Sequence, residues 1–145
     1  MKKLFFILVL LNGIVLCLNA QNAFPPITKC DSIEINCINP SIMTVVDLHE
    51  EAFEKYFDRT GENEKRHVIV YDSICIREML DSIYILNPIK SPDAIDIRGR
   101  LTFFSANGEE IVLYVGLCRL SHKGIVYKAS PFAFKILYML FKEGD

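Results

Sequence analysis

After Leu18 the chain contains no apolar run of 18 residues, so nothing beyond its N-terminal stretch reads as a transmembrane helix. It also has no basic run, which argues against a nucleic-acid partner. Metal-binding spacings such as His-Glu-x-x-His or Cys-x-x-Cys are absent, and so are clustered carboxylates. There is no Gly-x-Ser-x-Gly elbow, phosphate loop or dinucleotide fingerprint. These absences yield no catalytic residue, no metal ligand and no cofactor. With no repeat, low-complexity segment or internal linker, the remainder reads as a single domain.

The N-terminal stretch has the form of a secretory signal peptide. Met1-Lys2-Lys3 is basic, Leu4–Leu18 is apolar apart from Asn12-Gly13, and Leu18-Asn19-Ala20 is a cleavage tripeptide. As a helix the apolar run would reach about 22 Å, short of a hydrocarbon core about 30 Å thick. Residues 1–20 are therefore expected to be removed, placing the protein in the periplasm or outside the cell. A lipid anchor is disfavoured because Cys17 follows Leu16 rather than a small residue. Loss of Lys2 and Lys3 from the 16 basic side chains leaves 14 against 18 acidic ones, a formal charge of −4.

Residues 21–31, with Pro25-Pro26, read as an extended lead-in, and 32–145 as the domain. Ile33, Ile35 and Cys37 alternate with polar residues, which predicts a half-buried strand. A helix is expected over 48–59, started by a capping box of Asp47 and Glu50 and stopped by Gly61. Its apolar face is Leu48, Ala52, Phe53, Tyr56 and Phe57, and its glutamates lie opposite. A second strand at 67–71 precedes a helix over 74–86 capped by Asp72 or Ser73. Ser130-Pro131 should open a last helix, apolar almost all round and hence deeply buried.

Between these lies a three-stranded meander, 95–104, 109–120 and 125–127, with turns at 106–108 and 121–124. A two-residue Asn107-Gly108 turn would put Ile111 and Leu113 beside Arg98 and Arg100. A three-residue loop with Gly108 left-handed shifts the register by one, so that Leu101 faces Leu113, Phe103 faces Ile111 and Ile97 faces Leu117. The apolar pattern selects this bulged turn. Ile97, Leu101 and Phe103 should then lie beneath the last helix. The opposite face presents Arg98, Arg100 and Tyr114, the candidate binding residues for a protein partner.

Four cysteines remain after cleavage, Cys30, Cys37, Cys75 and Cys118, enough for two disulfides whose pairing the sequence leaves open. Cys30–Cys37 closes the shortest loop. A straight strand between the two would hold their Cα atoms more than roughly 20 Å apart, beyond bridging range.

Ala20-Gln21 at the mature end, the Asp-x-Arg strand of Asp96 and Arg98, the hairpin, and the Gly-x-x-Tyr strand of Gly124 and Tyr127 form a pattern. In this the chain resembles small exported proteins of Bacteroidetes-type bacteria. The resemblance implies a periplasmic or surface location and carries over no catalytic residue. The expected fold is α+β, in the order β-α-β-α-β-β-β-α, with helices on one face of a mostly antiparallel sheet. The expected function is that of a non-enzymatic binding protein of the cell envelope, such as an immunity or inhibitor protein, and a monomer rather than a homodimer. The alternatives are an enzyme with an unrecognised site and a structural or assembly component.

Overall fold

The computed structural model describes residues 27, 29–42, 44, 47–83, 87–89, 95–128 and 131–142. The expected leader, most of the lead-in and the Ser130 cap lie outside them. Strand β1 (Ser32–Ile38) buries Ile33, Ile35 and Cys37 as expected, but Asn36 and Ile38 on its other face are buried too, so it is not half-buried. A helix, α1 (Glu50–Arg59), then leads to β2 (Lys65–Val70), α2 (Ser73–Ile83) and a two-residue bridge, β3 (Asn87–Pro88). Strands β4 (Ile97–Phe104), β5 (Glu110–Gly116), β6 (Arg119–His122) and β7 (Ile125–Lys128) follow, and α3 (Pro131–Lys142) closes the chain. One sheet results, in the order β2-β1-β4-β5-β6-β7-β3, with every neighbouring pair antiparallel. The class is α+β, and the expected element order stands with β3 and β6 added.

The first hairpin takes the register that the apolar pattern requires. Phe103 pairs with Ile111 and Leu101 with Leu113, while Gly108, at φ +82°, donates its N–H to Ser105 O at 2.9 Å. The stretch expected as one strand from 109 to 120 instead divides at Leu117-Cys118, giving β5 and β6. Cys118 takes a left-handed backbone there, φ 55°, without the glycine or asparagine that would have announced a turn. At the next turn both Lys123 (φ 51°) and Gly124 (φ 76°) are left-handed, as a tight two-residue hairpin needs.

The start of β4 departs from expectation. Ile97 pairs with Gly116 and Gly99 with Val115, so Arg98 is an extra residue, a β-bulge. One inserted residue reverses the faces upstream of it. Ile97 therefore does not lie opposite Leu117 or beneath α3. It packs with Ile38, Leu48 and Phe53 in a small core under α1. Gly116 permits the distortion: a Cβ there would sit 2.7 Å from the Asp96 carbonyl oxygen.

The sheet thus carries two cores. The larger joins Ile33, Ile35, Leu101, Phe103, Leu113, Val115 and Leu120 to Ile76 and Met79 of α2 and to Ala133 and Leu137 of α3. Ile27 of the lead-in is buried in it. A Cβ at Gly99 would meet Leu137 Cδ1 at 2.6 Å, so glycine sets how closely α3 approaches. Only α2 and α3 share that face. The third helix, α1, lies on the opposite one, because Phe53 and the glutamates beside it dock on Ile38, Arg100 and Tyr114. The last helix is one-sided: Ala133 and Leu137 are buried, whereas Tyr138 and Met139 face outwards.

Candidate functional site

The α1 face gathers the polar side chains of the sheet. Helix α1 does not start from the expected capping box of Asp47 and Glu50: His49 is the N-cap, its Nδ1 accepting from the Ala52 N–H at 3.3 Å. At the other end the helix stops at its C-cap Thr60, whose N–H and hydroxyl both donate to the Tyr56 carbonyl. These limits turn Glu50 and Glu54, four residues apart and so on one face, towards the strands. Glu51 faces out, where Lys55 at 2.7 Å holds its carboxyl below the usual range.

Arg100 and Tyr114, opposite each other across β4 and β5, meet on Glu54. Arg100 Nη1 donates to Glu54 Oε2 at 2.8 Å, and the Tyr114 hydroxyl donates to Glu54 Oε1 at 2.9 Å. Burial, and then the Glu54 carboxylate, push the Tyr114 phenol up to about 12. On its other side Arg100 Nη2 lies 3.4 Å from Glu34 Oε1. Asn36 Nδ2 donates to that oxygen at 2.6 Å, and His67 Nδ1 donates to Asn36 Oδ1 at 2.6 Å. One chain of contacts therefore runs from β2 to β5, through α1. Nearby, the Ser121 hydroxyl donates to Glu50 Oε1, which also accepts the Gly124 N–H at 3.3 Å.

Arg98 does not join this group. The bulge turns its guanidinium into the protein, 9% exposed, where Nε donates to Asp96 Oδ2 at 2.9 Å, Nη1 to Ile42 O at 2.8 Å and Nη2 to Thr44 Oγ1 at 3.1 Å. Asp96 Oδ1 accepts the Leu48 N–H at 3.2 Å, and the Ile97 N–H returns to Leu48 O at 2.8 Å. The Asp-x-Arg motif is thus a clamp that ties the β1–α1 connection to β4. The expected open face of Arg98, Arg100 and Tyr114 is corrected accordingly: Arg98 is interior, and α1 covers Tyr114 and part of Arg100.

Continuous strand separates Cys30 from Cys37, and all four thiols of Cys30, Cys37, Cys75 and Cys118 are free. Burial raises the Cys37 thiol to about 12. Cys75 is exposed, and a hydrogen bond to Asp72 raises it. Asp72 is the cap of α2, its Oδ1 accepting the N–H of Ile74 at 3.0 Å and of Cys75 at 2.8 Å. The histidines stand apart in role: His49 caps α1, His67 ends the polar chain, and the buried His122 donates Nδ1–H to Val112 O at 2.7 Å. Among the described residues no three of His, Cys, Asp and Glu are placed to hold a metal. Elsewhere, an open cleft of about 430 Å³ between residues 29–31 and α2 is bordered by Lys29, Asp31, Arg77 and Asp81.

Reading the sequence missed Glu34, Glu50 and Glu54. The i, i+4 spacing of the two helix glutamates, beside a strand pair bearing Arg100 and Tyr114, is the signal that could have found them. No protein-family model matches the chain, and no curated protein or solved structure matches it either. No helix among the described residues is long and apolar enough to cross a membrane.

Proposed function

We propose that this is an exported, non-enzymatic binding protein of the bacterial envelope, acting on a protein partner as an immunity or inhibitor protein does. The observation that carries the reading is the strip of polar side chains that α1 leaves uncovered. Glu34, Arg100 and His67 retain 22%, 26% and 56% exposure of their side chains while tied together across three strands. Side chains held in place before contact lose little freedom on binding, which favours their use in recognition. The charges of the strip and most of its hydrogen-bonding groups are already matched, the buried Arg100 Nε being the exception, which suits docking rather than turnover. A photo-cross-linking residue at His67, used in an envelope extract, should capture one defined protein. The same residue at Tyr138 should not. Purified partner should then bind the Glu34→Ala and His67→Ala variants at least tenfold more weakly. Equal capture from both positions, or unchanged affinity, would remove the strip as the binding surface. Export is read separately: the isolated protein should begin at Gln21, and a retained Met1 would refute it.

The exposed Tyr138 and Met139 of α3 favour a second reading, an assembly component that docks through this helix. Capture from Tyr138 but not His67 would select it.

A further inference from the structure

The two ends of the sheet are finished differently. At one end, among the described residues, β3 offers only Asn87 and Pro88, and the proline cannot donate to a further strand. At the other end β2 presents six residues, without proline, paired to β1 in an unbroken register from Ile38–Lys65 to Ile33–Val70. Its charged residues, the usual guard of an open edge, are confined to its first two positions, Lys65 and Arg66. Lys65 Nζ is 2.9 Å from Glu62 Oε1 and lies over the Phe57 ring, and Arg66 lies over the Phe141 ring.

The phase of the ladder identifies the open groups. Asn39 N–H donates to Glu64 O at 2.8 Å, extending the β1–β2 register. Residues 64, 66, 68 and 70 therefore exchange hydrogen bonds with β1, and Lys65, His67 and Ile69 direct N–H and C=O outwards. The Lys65 carbonyl is already taken by Arg66 Nη1 at 2.9 Å. His67 and Ile69 remain, followed in phase by Tyr71. Their side chains line one face, with Ile69 45% and Tyr71 72% exposed.

We infer that this edge pairs with the same edge of a second copy of the chain, antiparallel about a two-fold axis at Ile69. An isologous contact requires a surface that complements itself. About this axis Ile69 faces the second copy's Ile69, and His67 faces the second copy's Tyr71. No like charges are opposed, and an apolar pair lies at the centre. The pairing joins two sheets into one and sets the two polar strips side by side on one face. It goes beyond the partner reading and does not depend on it.

The chain should be expressed with its own leader, purified as the cell matures it, and weighed by sedimentation equilibrium. Its mass should double with concentration by roughly 100 μM, a range in which even weak complexes are populated. A mass that stays monomeric there overturns the inference. In a Cys75→Ser, Cys118→Ser background, Ile69→Cys should form a disulfide-linked dimer with oxidised glutathione, because directly opposed residues of a hydrogen-bonded pair lie about 5.5 Å apart. Tyr138→Cys in that background should not. Ile69→Pro removes both central hydrogen bonds, and Ile69→Lys opposes two charges. Either variant should be monomeric with unaltered circular dichroism. If the proline variant fails to fold, the lysine variant at this half-exposed position decides. A dimer that survives the folded variants, or cross-linking from Tyr138 instead, also overturns it. Glu34, His67 and Arg100 are untouched, so loss of the dimer and loss of partner binding are scored separately.

Discussion

Removing either half of the Asp96–Arg98 clamp should destabilise the protein, and the two losses should be unequal. Asp96→Ala strands a guanidinium only 9% exposed, whose remaining acceptors are one carbonyl and one hydroxyl. Breaking a buried pair from one side costs about 3–5 kcal/mol. Arg98→Ala leaves behind a carboxylate that is 34% exposed and still accepts the Leu48 N–H. Its cost is that of the lost hydrogen bonds and the orphaned Ile42 carbonyl, about 2–3 kcal/mol. The double variant has no stranded charge and should lose only about 1 kcal/mol more than Arg98→Ala, which leaves a coupling of about 2–4 kcal/mol. Denaturant unfolding of the four proteins at neutral pH, followed by circular dichroism, measures all three quantities. Asp96→Ala costing no more than Arg98→Ala, or strictly additive losses, would refute the clamp.

Gly99→Ala should cost about 1–3 kcal/mol in the same assay, since its methyl would sit 2.6 Å from Leu137 Cδ1. Adding Leu137→Ala should recover part of the Gly99→Ala loss, because the space is then vacated. Cys118→Gly should raise stability by about 0.5–1 kcal/mol by relieving a left-handed backbone at φ 55°. Tyr114 titrates near 10 when unfolded and at about 12 in the fold, so the unfolded chain loses its proton first. Its contribution is complete below pH 10 and is lost as pH rises towards 12. Tyr114→Phe should therefore lower stability at neutral pH by about 1 kcal/mol and flatten the alkaline decline relative to the parent. An equally steep decline in the variant would contradict this.

The register of the first hairpin was legible because one face is apolar and a slip exposes it: Leu101, Phe103, Ile111 and Leu113 decide together. Helix positions were legible from their periodicity. The bulge at Arg98 was not, because its cause lies 48 residues away, in the Asp96 contact with Leu48. Periodicity places charged residues in solvent, and Glu50 and Glu54 turn inwards only because Ser121, Arg100 and Tyr114 await them from distant strands. Leu117-Cys118 has no turn chemistry, so the break between β5 and β6 left no mark. The expected cap at Asp47 lost to His49, whose ring nitrogen fills a place usually taken by an oxygen.

The bulge in β4 also divides the molecule's cooperativity. Ile97 belongs to the core under α1 and Gly99 to the core under α3, with one residue between them. Helix α1 and its few apolar partners can therefore detach as a unit while Leu137 stays seated on the sheet. Such a unit opens at a free energy below that of global unfolding. Amides of α1 should then exchange in a faster class than those of β1, β4 and β5. The inserted residue acts as a joint between a labile half and a durable one.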